Sequence, residues 1–315
     1  MRQALTPENA SQLSPVAQVR IGWITAVAWS PDGQTIAVAG GTQVRLYVRS
    51  FGATPTFVIE GHDAPVKDIA FGRDNDLLAA VGADGQALVW AVDAAPRRVH
   101  TFAVTDSLNS VTFSPDARRL VAGSGKGEVW AWDLRSGTRT QLPYPHSGEV
   151  NAVKWRMGSV FSAGHDGELL CRDMSDLRSA PVVTAAQSEW IRDFDLPANG
   201  QSAFTVSKDG TLRGWNRSGD MIFRVLAHEG GADCVAVHHT GLLVATGGRD
   251  NTVRLWNTAS LIAQHGHVGP VAELSEHTKP VLTLAFNPQG TMLLTGSGDN
   301  TARLWSVEER NNGGN

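Results

Sequence analysis

DNTARLW (299–305) has a near copy in DNTVRLW (250–256). Each stretch begins with a turn-forming Asp-Asn pair and continues with alternating polar and apolar residues that end in Trp. Turn residues followed by period-two alternation are typical of the second half of a β-hairpin. Since one chain contains the same short hairpin twice, the sequence indicates an internal repeat, and weaker copies are expected elsewhere.

Such copies occur at regular intervals along the chain. They are KDGTLRGW (208–215), ADGQALVW (83–90), HDGELLCR (165–172), GKGEVWAW (125–132) and GTQVRLY (41–47). The hairpins end 40–49 residues apart, at Tyr47, Trp90, Trp132, Arg172, Trp215, Trp256 and Trp305. Only the last interval contains an insertion, which falls within 258–276. The pattern therefore predicts seven units.

Each unit reads as four short strands. In the last unit VLTLAF (281–286), TMLLTG (291–296) and TARLW (301–305) are separated by NPQG and GDN turns. A fourth strand follows the Trp in other units, as in RRVHTFAV (97–104) and MIFRVLA (221–227). No segment shows a sustained helical period with caps, so the sequence predicts an all-β protein built from meanders.

The composition is that of an ordinary globular protein. Of 315 residues 42% are hydrophobic and 18% are charged, and the net charge of −4 disfavours binding to nucleic acid or to an anionic membrane. The two cysteines, Cys171 and Cys234, have no metal-ligand or disulfide spacing. No apolar run reaches the length of a membrane span, so we expect a cytoplasmic, monomeric protein.

Several motifs in register resemble the WD-repeat β-propeller family. They include GHDAPV (61–66), HSGEV (146–150), EHTKPV (276–281), the turn aspartates and the Trp that ends each third strand. The resemblance spans 15–307, between an N-terminal tail (1–14) and a polar C-terminal tail (308–315). It implies a single seven-bladed β-propeller of four-stranded antiparallel blades, closed by the N-terminal strand (15–22), which completes the last blade. In style the hairpins are similar to those of bacterial stand-alone members.

The resemblance also implies a structural network within each blade, in which His, Ser or Thr, the turn Asp and Trp are linked. Carried over by position, its members are His62, Asp84 and Trp90; His146, Ser162 and Asp166; Thr205, Asp209 and Trp215; His228, Thr246, Asp250 and Trp256; and His277, Thr295, Asp299 and Trp305. A recurring His/Ser/Asp set could be mistaken for a catalytic triad, but an enzyme does not need one triad per blade. We therefore expect a non-catalytic protein with no cofactor and no metal.

Some blades depart from this pattern. Ala80 and Ala122 replace the hydroxyl in blades 2 and 3, Lys126 replaces the Asp in blade 3, and Gln187 replaces the His in blade 5. In blade 4, Arg172 stands where the Trp belongs, and it could pair with Asp166 or point outward. We expect blades 1 and 3 to be held mainly by apolar packing.

By analogy with the family, partners bind on the narrow face, around the mouth of the central channel. The residues expected there include Trp23, Lys67, His165, Trp190, Arg192, Lys208 and Arg249. Trp190 would be flanked by cations, which suits an acidic or phosphorylated peptide. The alternative is that Trp190 packs within its own loop and the cations are solvated.

The sequence thus favours a non-catalytic scaffold that presents a rigid surface to protein or peptide partners. A second hypothesis is a small-ligand sensor or enzyme that uses the central channel. It would need titratable groups on the inner strands, where we expect small apolar residues instead, as in TAVAW (25–29) and LTLAF (282–286). A third is a regulatory propeller cut from a larger signalling protein. Nucleic-acid binding is disfavoured by the net charge.

Overall fold

The structure is a computed structural model that describes residues 3–176 and 179–307. The polar tail predicted at 308–315 lies outside the described residues. Within them the chain forms seven four-stranded antiparallel sheets, which are the blades of a β-propeller. This confirms the predicted fold.

The strands are numbered in chain order. The first, β1 (Leu13–Arg20), precedes the blades and belongs to the last of them. Blade 1 contains β2 (Ile24–Trp29), β3 (Thr35–Gly40), β4 (Gln43–Val48) and β5 (Phe57–Ile59). Blade 2 contains β6 (Val66–Phe71), β7 (Leu77–Gly82), β8 (Gln86–Ala91) and β9 (Arg97–Ala103). Blade 3 contains β10 (Leu108–Phe113), β11 (Arg119–Ser124), β12 (Val129–Asp133) and β13 (Arg139–Gln141).

Blade 4 contains β14 (Val150–Arg156), β15 (Ser159–Gly164), β16 (Glu168–Asp173) and β17 (Val182–Ala186). Blade 5 contains β18 (Ile191–Asp195), β19 (Ser202–Ser207), β20 (Thr211–Asn216) and β21 (Met221–Leu226). Blade 6 contains β22 (Ala232–Val237), β23 (Leu243–Gly248), β24 (Val253–Asn257) and β25 (Ala272–Leu274). Blade 7 contains β26 (Val281–Phe286), β27 (Met292–Ser297), β28 (Thr301–Val307) and then β1.

The N-terminal strand closes the ring. β1 pairs antiparallel with β28 from Leu13↔Val307 to Arg20↔Thr301, and a β-bulge interrupts the register between Pro15 and Ala17. This pairing covers the edge of β28, which would otherwise expose unpaired backbone groups. Closure is completed between the inner strands, where the Val27 amide of blade 1 donates to the Thr283 hydroxyl of blade 7 at 3.2 Å.

Residues ahead of β1 are also packed against the ring. Leu5 and Ala10 are fully buried in the core shared by blades 6 and 7, and the Leu5 amide donates to the Gly290 carbonyl at 2.8 Å. A short 3-10 turn, Ala10–Gln12, leads into β1. No sequence pattern pointed to this contact, because a single buried Leu in a polar segment has no periodicity.

The insertion between blades 6 and 7 contains a short helix that the sequence pattern did not predict. It is α1 (Thr258–Ala263), and the Asn257 side chain caps it by accepting from the Ser260 amide at 3.1 Å. Six residues are too few for a periodic signal, so the capping residue was the only local indication. In the part of the chain that the structure describes, no helix is long and apolar enough to cross a membrane.

Candidate protein interface

The network residues of the last blade are in direct contact. Nδ1 of His277 lies 2.9 Å from Asp299, and its Nε2 lies 2.8 Å from the Thr295 hydroxyl. Trp305 donates its indole N–H to the same hydroxyl at 2.9 Å. Since Asp299 accepts at Nδ1, the imidazole carries its proton there, and Nε2 accepts from Thr295. The side chains therefore satisfy one another in the blade interior.

The turn aspartate of this blade accepts several hydrogen bonds from protein groups. Burial alone would raise the pKa of Asp299, but hydrogen bonds from Thr301, His277 and Thr278 outweigh it and lower the pKa to about 2. Blade 6 repeats the arrangement, with His228 2.8 Å from both Asp250 and Thr246, and with Trp256 donating to Thr246 at 3.0 Å. Here too the hydrogen bonds leave the pKa of Asp250 far below its usual value, against the opposing effect of burial.

Blades 2 and 5 hold partial networks. In blade 2, His62 contacts Asp84 at 2.9 Å, but its Nε2 has no hydrogen-bond partner among the described residues, because Ala80 provides no hydroxyl. In blade 5, Trp215 donates to Thr205 at 2.9 Å, and Asp209 pairs with Arg213 at 2.6 Å instead of with a histidine.

Blade 4 keeps its hydrogen-bond network although Arg172 stands in place of the usual Trp. His146 contacts Asp166 and Ser162, each at 2.8 Å. Arg172 neither pairs directly with Asp166 nor points outward: it is only 5% exposed and donates to the Ser162 hydroxyl and the Tyr144 carbonyl, both at 2.6 Å. Burial lowers the pKa of Arg172 to about 10. The guanidinium thus supplies the donor that an indole supplies in blades 5, 6 and 7.

Three of the predicted interface residues, which directly follow β15, precede β18 and follow β19, form a stack. The rings of His165 and Trp190 are parallel within 9°, with centroids 3.9 Å apart, and Lys208 Nζ lies 4.0 Å from the Trp190 centroid. Because both neighbours are this close to one ring, they must cover opposite faces of it. Burial lowers the pKa of His165, with Glu149 opposing the change.

Two more predicted residues are joined through an aspartate. Arg192 lies 2.9 Å from Asp233, and Nε of Arg249 lies 3.3 Å from the other oxygen of that carboxylate. Because the two arginines share one carboxylate, the three side chains together carry a net positive charge. Together with the stack, these residues form what we term the cationic cluster: His165, Trp190, Arg192, Lys208, Asp233 and Arg249.

Trp23 and Lys67 lie elsewhere on the ring, in blades 1 and 2. The Trp23 side chain is 52% exposed, and its indole lies over Gly298, where an added Cβ would come within 3.2 Å of the ring. Lys67 is exposed at the channel mouth. The predicted interface residues therefore divide between one cluster on blades 4 to 6 and two separate positions.

The central channel contradicts the expectation of small apolar inner strands. A cavity of about 510 Å³ runs between all seven inner strands and is lined by charged residues of blades 2, 4, 5 and 6. Lys154 Nζ lies 3.5 Å from both Asp193 and Asp195. The segments TAVAW (25–29) and LTLAF (282–286) represent blades 1 and 7 only, whereas VKDIAF, VNAVKWR and IRDFD have charges at corresponding positions.

These channel charges are tolerated because they have partners in the next blade. Asp68 of blade 2 accepts from the Ser110 hydroxyl at 2.8 Å and from the Val111 amide at 2.9 Å in blade 3. Asp193 of blade 5 accepts from the Val235 amide of blade 6 at 3.0 Å. The carboxylates therefore join adjacent blades. Among the described residues, no three His, Cys, Asp or Glu side chains are grouped so that they could hold a metal ion.

Comparison with known proteins agrees with this architecture. The family model "WD domain, G-beta repeat" matches residues 18–47, 53–91, 96–133, 219–257 and 269–306, more than half of the chain. The chain therefore belongs to the WD-repeat family. The unmatched stretch 134–218 contains most of blades 4 and 5, where Arg172 and Gln187 replace the usual Trp and His.

Three similar proteins from eukaryotes illustrate the range of relatives. The guanine nucleotide-binding protein subunit beta of Oryza sativa subsp. japonica is 23% identical over 278 residues, which cover 78% of this chain and 72% of that protein. The target of rapamycin complex subunit wat1 of Schizosaccharomyces pombe is 28% identical over 203 residues, covering 62% of this chain and 64% of that protein. Telomerase protein component 1 of Rattus norvegicus is 27% identical over 268 residues, covering 84% of this chain but 10% of that protein.

Proposed function

We propose that this protein is a non-catalytic scaffold whose narrow face binds a protein or peptide partner. Two of the relatives are named as subunits of larger assemblies, which supports an interaction role in general terms. The imidazoles, hydroxyls and carboxylates of the networks in blades 6 and 7 are hydrogen-bonded within their blades, and Asp68 of the channel is hydrogen-bonded to the neighbouring blade. The scaffold is therefore a better account of these groups than an enzyme is.

The cationic cluster is the observation that supports a particular surface. Lys208 and Arg249 are exposed, whereas Asp233, the carboxylate between Arg192 and Arg249, has only 7% of its side chain exposed. A ligand approaching this surface therefore meets more positive than negative charge. Arg and Trp side chains of this kind contribute much of the binding energy at protein interfaces.

The partner that fits this cluster is an acidic or phosphorylated peptide. Arginine binds carboxylate and phosphate in a bidentate way, and Lys208 adds a further charge close by. Trp190 has both ring faces covered, so it offers only its edge to a partner and mainly holds Lys208 in place. Charge, rather than aromatic insertion, then determines which peptides bind.

The channel is the alternative location for a function. Its Lys154 is paired with two carboxylates and its Asp68 joins blades 2 and 3, so these groups have structural partners already. At the exposed cluster, by contrast, Arg192 and Arg249 share the single carboxylate of Asp233, and Lys208 forms no ion pair with the described residues. This difference favours the rim over the channel interior.

A binding assay with defined peptides tests the proposal. Fluorescence anisotropy would compare an Asp/Glu-rich, a phosphoserine-containing and a Lys-rich peptide of equal length. We expect the first two to bind more tightly than the third, and the double variant Lys208→Glu, Arg249→Glu to weaken their binding by about tenfold or more. The matched control is Arg73→Glu, Arg135→Glu, which reverses two exposed charges in turns at the other end of the strands. Equal binding of all three peptides, or equal loss in both double variants, would refute the proposed interface.

A further inference from the structure

A second cavity lies where the ring closes. A groove of about 550 Å³ opens between blades 7 and 1, and its lining includes Val16, Trp29, Ile36, Tyr47, Met292 and Leu304. We call it the seam groove. It borders the turn between β2 and β3, whereas the narrow-face residues lie at the opposite end of these strands. Its volume is in the range of small-molecule sites, and its lining combines apolar and aromatic side chains with the polar Gln34, Arg49 and Ser50.

Blade 1 leaves polar atoms unused at this groove. In blades 5, 6 and 7 the Trp that ends the third strand donates to a hydroxyl ten residues earlier. In blade 1 these two positions are Tyr47 and Ala37, so Tyr47 finds no hydroxyl there. Trp29 Nε1 is buried and makes no hydrogen bond with any described residue, and the only polar side chain that reaches the buried Tyr47 Oη among these residues is the Arg45 guanidinium. Buried polar groups without a partner are rare in proteins and costly.

The neighbouring arginine does not remove this deficit. Burial raises the pKa of Tyr47, and the charge of Arg45 opposes that rise. An arginine can only donate, as can the indole N–H of Trp29. The hydroxyl proton of Tyr47 and the N–H of Trp29 therefore both still lack an acceptor.

A cation stands at the rim of the groove. Arg49 is exposed, and its Nε donates to Gln34 Oε1 at 2.9 Å. Among the described residues its guanidinium pairs with no carboxylate, and neither Asp nor Glu lines the groove. Arg49, Trp29 and Tyr47 therefore all offer donors at this site, which favours an anionic ligand with several acceptor atoms.

The backbone places an additional apolar side chain in the lining. The β-bulge in β1 inserts Val16 as an extra residue opposite the β28 pair Leu304 and Trp305. Bulges of this kind change the direction of a side chain and are frequent beside binding sites. Val16 and Leu304 then form one wall of the groove, and Trp29 and Ile36 belong to the other blade.

We propose that the seam groove binds a small amphipathic carboxylate, with its apolar body between Val16, Trp29 and Leu304 and its carboxylate on Arg49. The Tyr47 hydroxyl is covered, and Phe51 lies edge-on to the Tyr47 ring at a centroid distance of 5.1 Å. Binding therefore includes a rotation of Phe51 that lets the carboxylate accept from Tyr47. The sequence EERNNGGN (308–315) contains no apolar side chain that could supply such a body.

Isothermal titration calorimetry on the full chain tests this proposal, with 4-phenylbutyrate as the probe and 4-phenylbutanol as its neutral counterpart. We expect saturable 1:1 binding of the acid and weaker binding of the alcohol. Arg49→Gln should weaken acid binding by about tenfold and remove the preference for the acid over the alcohol. Tyr47→Phe, which keeps the ring, should weaken acid binding by about fivefold.

Two controls locate the effect. Arg135→Gln changes an exposed arginine in the corresponding turn of blade 3 and should leave binding unchanged. The narrow-face variant Lys208→Glu, Arg249→Glu should also bind the acid normally, so failure of one proposal is distinguishable from failure of the other. The proposal is overturned if the acid shows no saturable binding up to about 10 mM. It is likewise overturned if Arg49→Gln retains the preference for the acid, which would indicate non-specific apolar contact only.

Discussion

Asp299 accepts hydrogen bonds from the Thr301 and Thr278 amides and lies 2.9 Å from His277 Nδ1. One carboxylate therefore joins the turn before β28 to the loop before β26. Its side chain is only 5% exposed, so removing it leaves several donors without a partner in a place that water reaches poorly. At the scale of single residues, we therefore expect loss of this turn aspartate to lower the free energy of unfolding markedly.

Replacement of Asp299 by Ala should lower the free energy of unfolding by about 2–4 kcal/mol, as measured by urea denaturation at pH 7. Asp63→Ala is the matched control, because the Asp63 side chain is exposed and only its backbone amide takes part in the Asp84 turn. We expect that control to stay within about 0.5 kcal/mol of the native protein. A loss of similar size in both variants would contradict the special role of Asp299.

The pH dependence of this effect has a defined sign. The pKa of Asp299 falls from 3.8 to about 2 on folding, because its hydrogen bonds outweigh the effect of burial. A lowered carboxyl pKa contributes stability that is fully present above the unfolded value and is lost as the pH falls through the folded one. The stability difference between the native protein and Asp299→Ala should therefore shrink between about pH 4 and pH 2.

At the scale of elements, β1 decides whether the ring is closed. It covers the edge of β28 over its whole length, and the segment before it adds the buried Leu5 and Ala10 to the core of blades 6 and 7. These are two separable contributions. The first provides backbone pairing and apolar packing, and the second provides apolar packing and one backbone hydrogen bond.

Two truncations distinguish the contribution of β1 from that of the segment before it. Deletion of residues 1–12 should cost about 2–5 kcal/mol, the range for removing a large buried aliphatic side chain. Deletion of residues 1–22 should cost far more, because β28 would become an open edge and the faces of blades 7 and 1 would lose their cover. Thermal unfolding followed by circular dichroism measures both. If the longer deletion melts close to the shorter one, β1 does not close the ring.

At the scale of the whole molecule, the channel contains carboxylates and cations that join blades around the axis. Asp68 is the clearest case, because burial, aided by Asp193, raises its pKa to about 6 against the opposing hydrogen bonds from Val111, Ser110 and Ile69. The folded protein therefore binds a proton at Asp68 more tightly than the unfolded chain does. That arrangement makes the stability of the ring dependent on pH.

Since the folded pKa of Asp68 exceeds the unfolded value of 3.8, stability should fall as the pH rises from about 4 to about 6. Asp68→Asn removes this titration while retaining an oxygen acceptor, so the fall should be smaller in the variant. Asp74→Asn, in the exposed loop after β6, is the control and should leave the slope unchanged. Chemical denaturation at several pH values measures the slopes, and identical slopes in all three proteins would show that Asp68 does not titrate in this range.

The repeat, the number of blades and the closing strand could all be predicted from the sequence, since turns and period-two alternation are local properties. The network positions could be assigned for the same reason, because a fixed spacing within each hairpin places them. The orientation of the Arg172 side chain could not be predicted, since it depends on a hydrogen bond to the Tyr144 carbonyl 28 residues away. The stack of His165 on Trp190 was beyond prediction as well, because it joins side chains of two blades.

The sequence by itself determined the architecture of this protein: seven copies of one hairpin unit specify seven blades, and a terminal strand with no preceding hairpin specifies how they close. Only the tertiary structure decided what the blades enclose, namely the charged channel, the cationic cluster and the seam groove. The physical reason is that each of these is formed by side chains that belong to different blades and are therefore far apart in sequence. Their contacts depend on how the sheets are placed around the axis and leave no pattern within any single repeat.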